Sequence, residues 1–144
     1  MPKILIGIDT GVNTGFAVAF DHGEGGVLQK VESLSITQAM QSVLEYEDEH
    51  DLKDIMLYIE DARKRTWFTG GREKAQGVGS VKRDAQIWED WCTEQGLNFK
   101  MIHPAANATK KKVADFTRMT GWTGRTNEHA RDAAMLVFKR YWKA

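Results

Sequence analysis

The stretch Lys3–Phe20 constrains the possible folds of this 144-residue chain most strongly. It opens with Ile4–Ile8, an apolar, β-branched-rich run typical of a strand buried on both faces, and this run ends at the carboxylate of Asp9. Gly11 and Gly15 then bracket a turn, and alternating large and small apolar residues predict a second, antiparallel strand. A carboxylate at the end of a buried strand is costly, so we expect either a bound cation or hydrogen bonds from the turn amides to stabilise it.

A second short apolar strand, predicted over Asp54–Glu60, also ends at a carboxylate. If the two strands are parallel neighbours, Asp9 and Glu60 lie side by side, because the carboxyl ends of such strands meet at one edge of the sheet. A shared metal ion would stabilise both acids. Ion pairs between Glu60 and Arg63 or Arg65 are the structural alternative.

The residues around these strands predict a meander followed by a helix. Gly23–Gly26 forms a glycine-rich turn, and Val27–Val31 is a third strand. Ser35 and Gln38 have the spacing of a capping box, and the helix they open is expected to end near Glu49.

A long connection without apolar periodicity, residues 61–79, follows the second acid. Loops of this length in a compact domain are usually functional or disordered. Basic residues interleaved with aromatics suit phosphates and unstacked bases, although the aromatics could equally cover the edge of the core. The candidate DNA-binding residues here are Arg63, Lys64, Arg65, Trp67 and Phe68.

Two later helices are predicted to begin with cations, one after Ser80 and one after Thr109. Cations in a first helical turn oppose the helix dipole, so their recurrence indicates an anion at both N-termini, whereas solvated side chains would explain either helix alone. The residues concerned are Lys82, Arg83, Lys110, Lys111 and Lys112.

The last predicted helix starts at Thr126 or Asn127 and carries His129 and Asp132 three residues apart, on the same side. An imidazole and an acid therefore lie near a helix N-terminus beside an alanine-rich packing face. Taken alone, His129 is more typical of a cap or a surface residue than of a ligand.

Length and composition predict one soluble domain over residues 1–144. The single cysteine excludes an intrachain disulfide, and the absence of a long apolar run or signal-peptide pattern favours a cytoplasmic protein without membrane contact. The formal net charge is zero, but it is segregated: residues 1–61 carry −9, 62–83 carry +6, 84–99 carry −4 and 100–144 carry +7. Such segregation permits a positive face for a phosphate backbone.

These motifs together resemble RuvC-type Holliday-junction resolvases, including phage-type members, within the ribonuclease H-like nucleases. The resemblance rests on Gly7-Ile8-Asp9 with Thr14-Gly15, Tyr58-Ile59-Glu60, the helix start Gly79–Arg83, Pro104 with the following lysines, and His129-Ala-Arg-Asp132-Ala-Ala. It implies an α/β fold with a mixed five-stranded sheet, made of a three-stranded antiparallel meander plus two parallel strands and flanked by helices.

The resemblance also implies a function, a crossover-junction endodeoxyribonuclease in a bacterial or phage-infected cell. Such enzymes act as homodimers that nick two symmetric strands of a four-way junction and leave 5′-phosphate and 3′-hydroxyl ends. Two Mg²⁺ or Mn²⁺ ions about 3.5–4 Å apart are expected in each active site. Their implied ligands, which are also the implied catalytic residues, are Asp9, Glu60, His129 and Asp132.

One departure from the family concerns base stacking. Bacterial members carry an aromatic residue shortly after the second acid, where this chain has Arg63, Lys64 and Arg65. Trp67 or Phe68 is expected to stack on the bases instead. Two alternatives stay open: a ribonuclease H-like enzyme acting on RNA or an RNA–DNA hybrid, and a non-catalytic nucleotide-binding module of actin-like descent.

Overall fold

A computed structural model describes residues 2–64, 72–107 and 110–141 of the chain. The strands are β1 (Lys3–Asp9), β2 (Thr14–Asp21), β3 (Val27–Leu34), β4 (Ile55–Glu60) and β5 (Phe99–Ile102). The helices are α1 (Ile36–Glu49), α2 (Arg72–Gln95), α3 (Val113–Thr120) and α4 (Glu128–Val137). Short 3₁₀ turns lie at Leu52–Asp54, Ala62–Lys64 and Pro104–Ala106. No helix within these ranges is long and apolar enough to cross a membrane.

The strands form one mixed sheet in the order β3-β2-β1-β4-β5. β1 pairs antiparallel with β2, and β2 pairs antiparallel with β3. β4 pairs parallel with both β1 and β5. The predicted α/β fold, with a three-stranded meander and two parallel strands, is therefore confirmed.

The central strand β1 is buried on both faces, as its apolar sequence predicts. Ile4, Ile6 and Ile8 pack with Trp88 of α2 and with the buried side of α1. Leu5 packs on the opposite face with the buried side of α4. The sheet therefore lies between α1 and α2 on one side and α4 on the other. Full burial of each such side chain stabilises the fold by roughly 1.5–3 kcal/mol.

The start of α1 follows the predicted capping box. The Ser35 hydroxyl accepts a hydrogen bond from the backbone N–H of Gln38, and the Gln38 side chain accepts one from the backbone N–H of Ser35. The helix ends at Glu49, as predicted.

The prediction that a helix starts at Ser80 is wrong, because α2 already begins at Arg72. The helix continues through Gly77 and Gly79, each of which costs about 1 kcal/mol relative to alanine. Good helix formers on both sides of these glycines outweigh that cost. Lys82 and Arg83 therefore lie in the interior of α2. The helix dipole acts mainly on the terminal turns, so it neither disfavours these two cations nor indicates an anion beside them.

The prediction for the next helix is also wrong in its boundary. The N-cap of α3 is Lys112, and Thr109 lies outside the described residues. Lys110 has a left-handed backbone with φ of 59°, which is incompatible with an α-helix. The three lysines therefore precede α3 and form a connecting segment, here named the lysine loop (residues 110–112).

Candidate active site

The carboxyl ends of β1 and β4 bring two acids together. The parallel register pairs Ile8 with Ile59, so the next residues, Asp9 and Glu60, are neighbours across the two strands. Glu60 is fully buried and Asp9 is 6% exposed. The two strand-end carboxylates therefore lie side by side, as the sequence predicts.

The first turns of α4 add two more side chains to this pair. The helix is capped by Asn127, whose side-chain oxygen accepts a hydrogen bond of 2.9 Å from the N–H of Ala130. Nδ1 of His129 lies 3.2 Å from Oδ2 of Asp9. Asp132 is buried and close enough to Asp9 to raise its pKa. All four predicted site residues thus converge, although they come from three separate elements.

A seam of three glycines, Gly7 of β1, Gly15 of β2 and Gly26 just before β3, lets α4 lie directly against this side of the sheet. A Cβ added at any of them would fall 1.9–2.2 Å from a backbone carbonyl oxygen of α4, which is a severe clash. The pairs are Gly15 with His129, Gly7 with Ala133, and Gly26 with Val137. These carbonyls are one helical turn apart, so the contact follows one side of the helix. The glycine seam sets the distance between His129 and Asp9.

The clustered acids change the protonation of Asp9. Burial is the largest cause that raises its pKa, and repulsion from Glu60 and Asp132 adds to it. The hydrogen bond with His129 acts in the opposite direction, but the pKa still rises from 3.8 to about 7. In physical terms, the pocket disfavours its own negative charge and would be stabilised by a cation.

The donor set suits a divalent metal ion in charge and chemistry, since carboxylate oxygens are preferred ligands of Mg²⁺ and imidazole is accepted by Mn²⁺. Within the described ranges, however, no group of three or more His, Cys, Asp or Glu side chains is arranged to hold a metal. Oδ1 of Asp132 accepts a 2.7 Å hydrogen bond from the backbone N–H of Lys110. Asp132 would have to turn from this N–H, or share its carboxylate, to complete a metal site.

The lysine loop lies beside this pocket because Lys110 is bonded to Asp132. Lys110 and Lys112 are exposed, and Lys111 is partly buried. Their proximity to the acids comes from the tertiary contact with α4 and does not require a helix N-terminus.

The other predicted DNA-binding residues have different surroundings. Arg63 is engaged within the protein, because its guanidinium donates to both oxygens of Asp61 and to Glu89 of α2. It therefore ties β4 to α2. Lys64 is exposed. Lys82 and Arg83 are exposed on α2, whereas Arg65, Trp67 and Phe68 lie outside the described residues.

Sequence reasoning missed Arg131 and Asn107. Nδ2 of Asn107 donates to the backbone oxygen of Asp132, and Arg131 bonds the lysine loop. The basic side chain between His129 and Asp132 was a visible signal for Arg131. Nothing in the local pattern indicates Asn107.

Compared with known proteins, the chain matches no protein-family model and no curated sequence at a significant level.

The raised pKa of Asp9 leads to a testable prediction for the metal-free protein. Between about pH 4 and pH 7 the folded state binds a proton at Asp9 that the unfolded state has lost, so stability falls as the pH rises through this interval. One pKa unit corresponds to about 1.4 kcal/mol, so we expect a loss of roughly 2–4 kcal/mol. Urea unfolding in EDTA at pH 4 and pH 8 measures it.

Asp9→Asn is the matched comparison, because the amide has a similar shape and does not titrate. The free energy of unfolding of Asp9→Asn should change less between pH 4 and pH 8 than that of the wild type. At pH 8 the variant should be the more stable of the two proteins. Equal pH dependence in the two proteins would contradict the electrostatic description of the pocket.

Proposed function

We propose that the protein is a divalent-metal-dependent endodeoxyribonuclease of the RuvC type, which resolves Holliday junctions and related branched DNA by paired nicking. The observation that carries this proposal is the convergence of Glu60, His129 and Asp132 around Asp9. The pocket lies at the carboxyl ends of parallel strands, where α/β folds place their ligands. Its acidic, cation-favouring character suits metal-dependent phosphodiester hydrolysis.

The side chains take distinct roles in this proposal. Asp9, Glu60 and Asp132 would hold Mg²⁺ or Mn²⁺, two ions per site, and His129 would be a further ligand or a base. When bound, the metal supplies Lewis-acid activation of water and charge stabilisation at the leaving 3′ oxygen. His129 has 49% of its side chain exposed, compared with 9% for Asp9, so incoming water reaches it most easily. Its Nδ1 can share a proton with Oδ2 of Asp9.

DNA binding in this proposal depends on the exposed cations near the pocket. The lysine loop is the strongest candidate, because Lys110 is bonded directly to Asp132. Lys64, Lys82 and Arg83 are exposed and would extend the contact with the phosphate backbone. Arg63 is not included, since its guanidinium already binds Asp61 and Glu89.

Paired nicks in two symmetric strands require two active sites. We therefore propose a homodimer as the active form on a four-way junction. Sedimentation with and without a junction tests this part, and a monomer on a cleaved junction would contradict it.

Cleavage of a labelled mobile four-way junction tests the proposed function. With Mg²⁺ or Mn²⁺ we expect symmetric nicks with 5′-phosphate ends, and with EDTA we expect none. A fork, an RNA–DNA hybrid and a single strand are the comparison substrates. Faster cleavage of the hybrid than of the junction would indicate a ribonuclease H-like activity instead.

The same experiment separates the enzymatic proposal from a binding module. Absence of cleavage of all four substrates with either metal, together with ATP binding, would favour the actin-like alternative. Cleavage in the presence of EDTA would contradict the metal-dependent mechanism.

A further inference from the structure

The lysine loop is fastened to the start of α4 by contacts that the proposed chemistry does not use. Nδ2 of Asn107 donates to the backbone oxygen of Asp132 at 3.1 Å, just before the loop. The backbone N–H of Lys110 donates to Oδ1 of Asp132 at 2.7 Å. Nε of Arg131 donates to the backbone oxygen of Lys111 at 2.7 Å. The loop conformation is therefore determined from α4 and not by the loop alone.

The backbone conformation of Lys110 is one that the contacts with α4 stabilise. Its φ of 59° is left-handed, a region that a lysine rarely adopts and that costs on the order of a tenfold change in population. Such a conformation persists when surrounding contacts select it. Here the selecting contacts are the Asp132 carboxylate and the neighbouring bond from Arg131.

Arg131 makes the most specific of the contacts between α4 and the lysine loop, because its guanidinium donates to two acceptors at once. In addition to the bond from Nε to the oxygen of Lys111, Nη1 donates to Oγ1 of Thr126 at 2.9 Å. The residue is partly buried. A planar fork can bridge two acceptors in fixed directions, whereas the ammonium of a lysine acts as a point charge. Arg131 therefore joins the loop to the segment that leads into α4.

We propose that Arg131 is a positioning residue that holds the lysine loop beside Asp132, so that its lysines contact the phosphates flanking the cleaved bond. This inference rests on the proposed nuclease function and assigns to Arg131 a role in substrate placement. It does not place Arg131 on the DNA. The geometry of its fork, more than its charge, is what the loop requires.

Steady-state cleavage of the junction by Arg131→Ala and Arg131→Lys tests this role. We expect both variants to raise KM about tenfold, with kcat changed less than about threefold, because a misplaced loop weakens substrate binding more than the chemical step. Thr126→Val, which removes one acceptor, should give a smaller increase in KM. Arg118→Ala is the control, since Arg118 is an exposed arginine of α3 whose loss removes the same charge without affecting the loop.

Hydrogen–deuterium exchange provides a measurement that does not depend on cleavage. In the wild type the N–H of Lys110 is bonded to Asp132, and we expect Arg131→Ala to speed exchange of this N–H about tenfold. Exchange in α4 should change little. Faster exchange across the whole α4 would show a general loss of structure and would overturn the assignment.

The remaining outcomes are separable from the test of the nuclease function. Full activity of Arg131→Lys would mean that charge alone matters, and a fall in kcat at unchanged KM would mean that Arg131 acts in the chemical step; either result overturns the proposal. Unchanged exchange in Arg131→Ala also overturns it. If the wild type cleaves none of the nucleic acids, the proposed function fails, and with it the substrate role of the loop.

Discussion

Asp9→Asn is expected to lower junction cleavage by about 10³-fold or more, which corresponds to at least 4 kcal/mol of transition-state stabilisation. Asp9 contacts His129 and is electrostatically coupled to both Glu60 and Asp132. The amide retains the shape of the carboxylate but has no charge to hold a divalent cation. Every site residue interacts through this one position, so its loss should remove the chemistry.

Junction affinity should remain within about threefold in the same variant, because phosphate contacts are assigned to lysines and not to the acids. Gel-shift titration in Ca²⁺ and cleavage in Mg²⁺ measure the two quantities separately. Asp115→Asn is the matched control, since Asp115 is a half-buried acid of α3 that is paired with Arg118 and lies away from the pocket. Loss of affinity together with cooperative unfolding would mean that Asp9 supports the fold and is not a catalytic residue.

Gly15→Ala is expected to lower cleavage by about 100-fold and to destabilise the protein by roughly 1–3 kcal/mol or more. The new Cβ would lie 1.9 Å from the backbone oxygen of His129 and 3.0 Å from Cβ of Asp9. One of the two backbones has to move, and either movement separates the imidazole from the carboxylate. A displacement of about 1 Å is enough to cost two orders of magnitude in rate.

Urea unfolding and single-turnover cleavage measure the two effects. Gly124→Ala is the control, because the atoms nearest to its Cβ belong to the side chain of Trp122 at 3.0 Å or more and not to a backbone carbonyl of α4. Gly7→Ala tests the same seam at the next helical turn, where the Cβ would lie 2.2 Å from the oxygen of Ala133. Wild-type stability and activity in both seam variants would show that α4 is not held by this contact.

Sequence reasoning succeeded where the relevant interactions are local. The apolar run before Asp9 and the run before Glu60 predict strands that end at acids, since burial on both faces requires such composition. The capping box of Ser35 and Gln38 depends on residues three apart, so it is readable without tertiary information. The pairing of His129 and Asp132 on one side of a helix follows from helical periodicity.

Sequence reasoning failed where contacts between distant residues compete with the local preference for a helix or a loop. The sequence predicts that a helix is capped by Ser80, but α2 begins at Arg72. The sequence predicts the lysines at 110–112 in a first helical turn, whereas contacts with Asp132 and Arg131 hold them in a loop. The ion pairs of Arg63 with Asp61 and Glu89 are likewise not predicted by the sequence, and its contact with DNA stays a prediction. A favourable local pattern gives no information about partners supplied by another element.

The sequence by itself determined the α/β character of the chain, the meander and the acids at two strand ends, because strand burial and turn chemistry depend on neighbouring residues. Only the tertiary structure decided how close these acids come to α4. That distance depends on the absence of side chains at the glycine seam, where backbone meets backbone. It also depends on hydrogen bonds between Asp132 and a loop more than twenty residues away. Long-range packing of this kind carries no periodic signal in the chain.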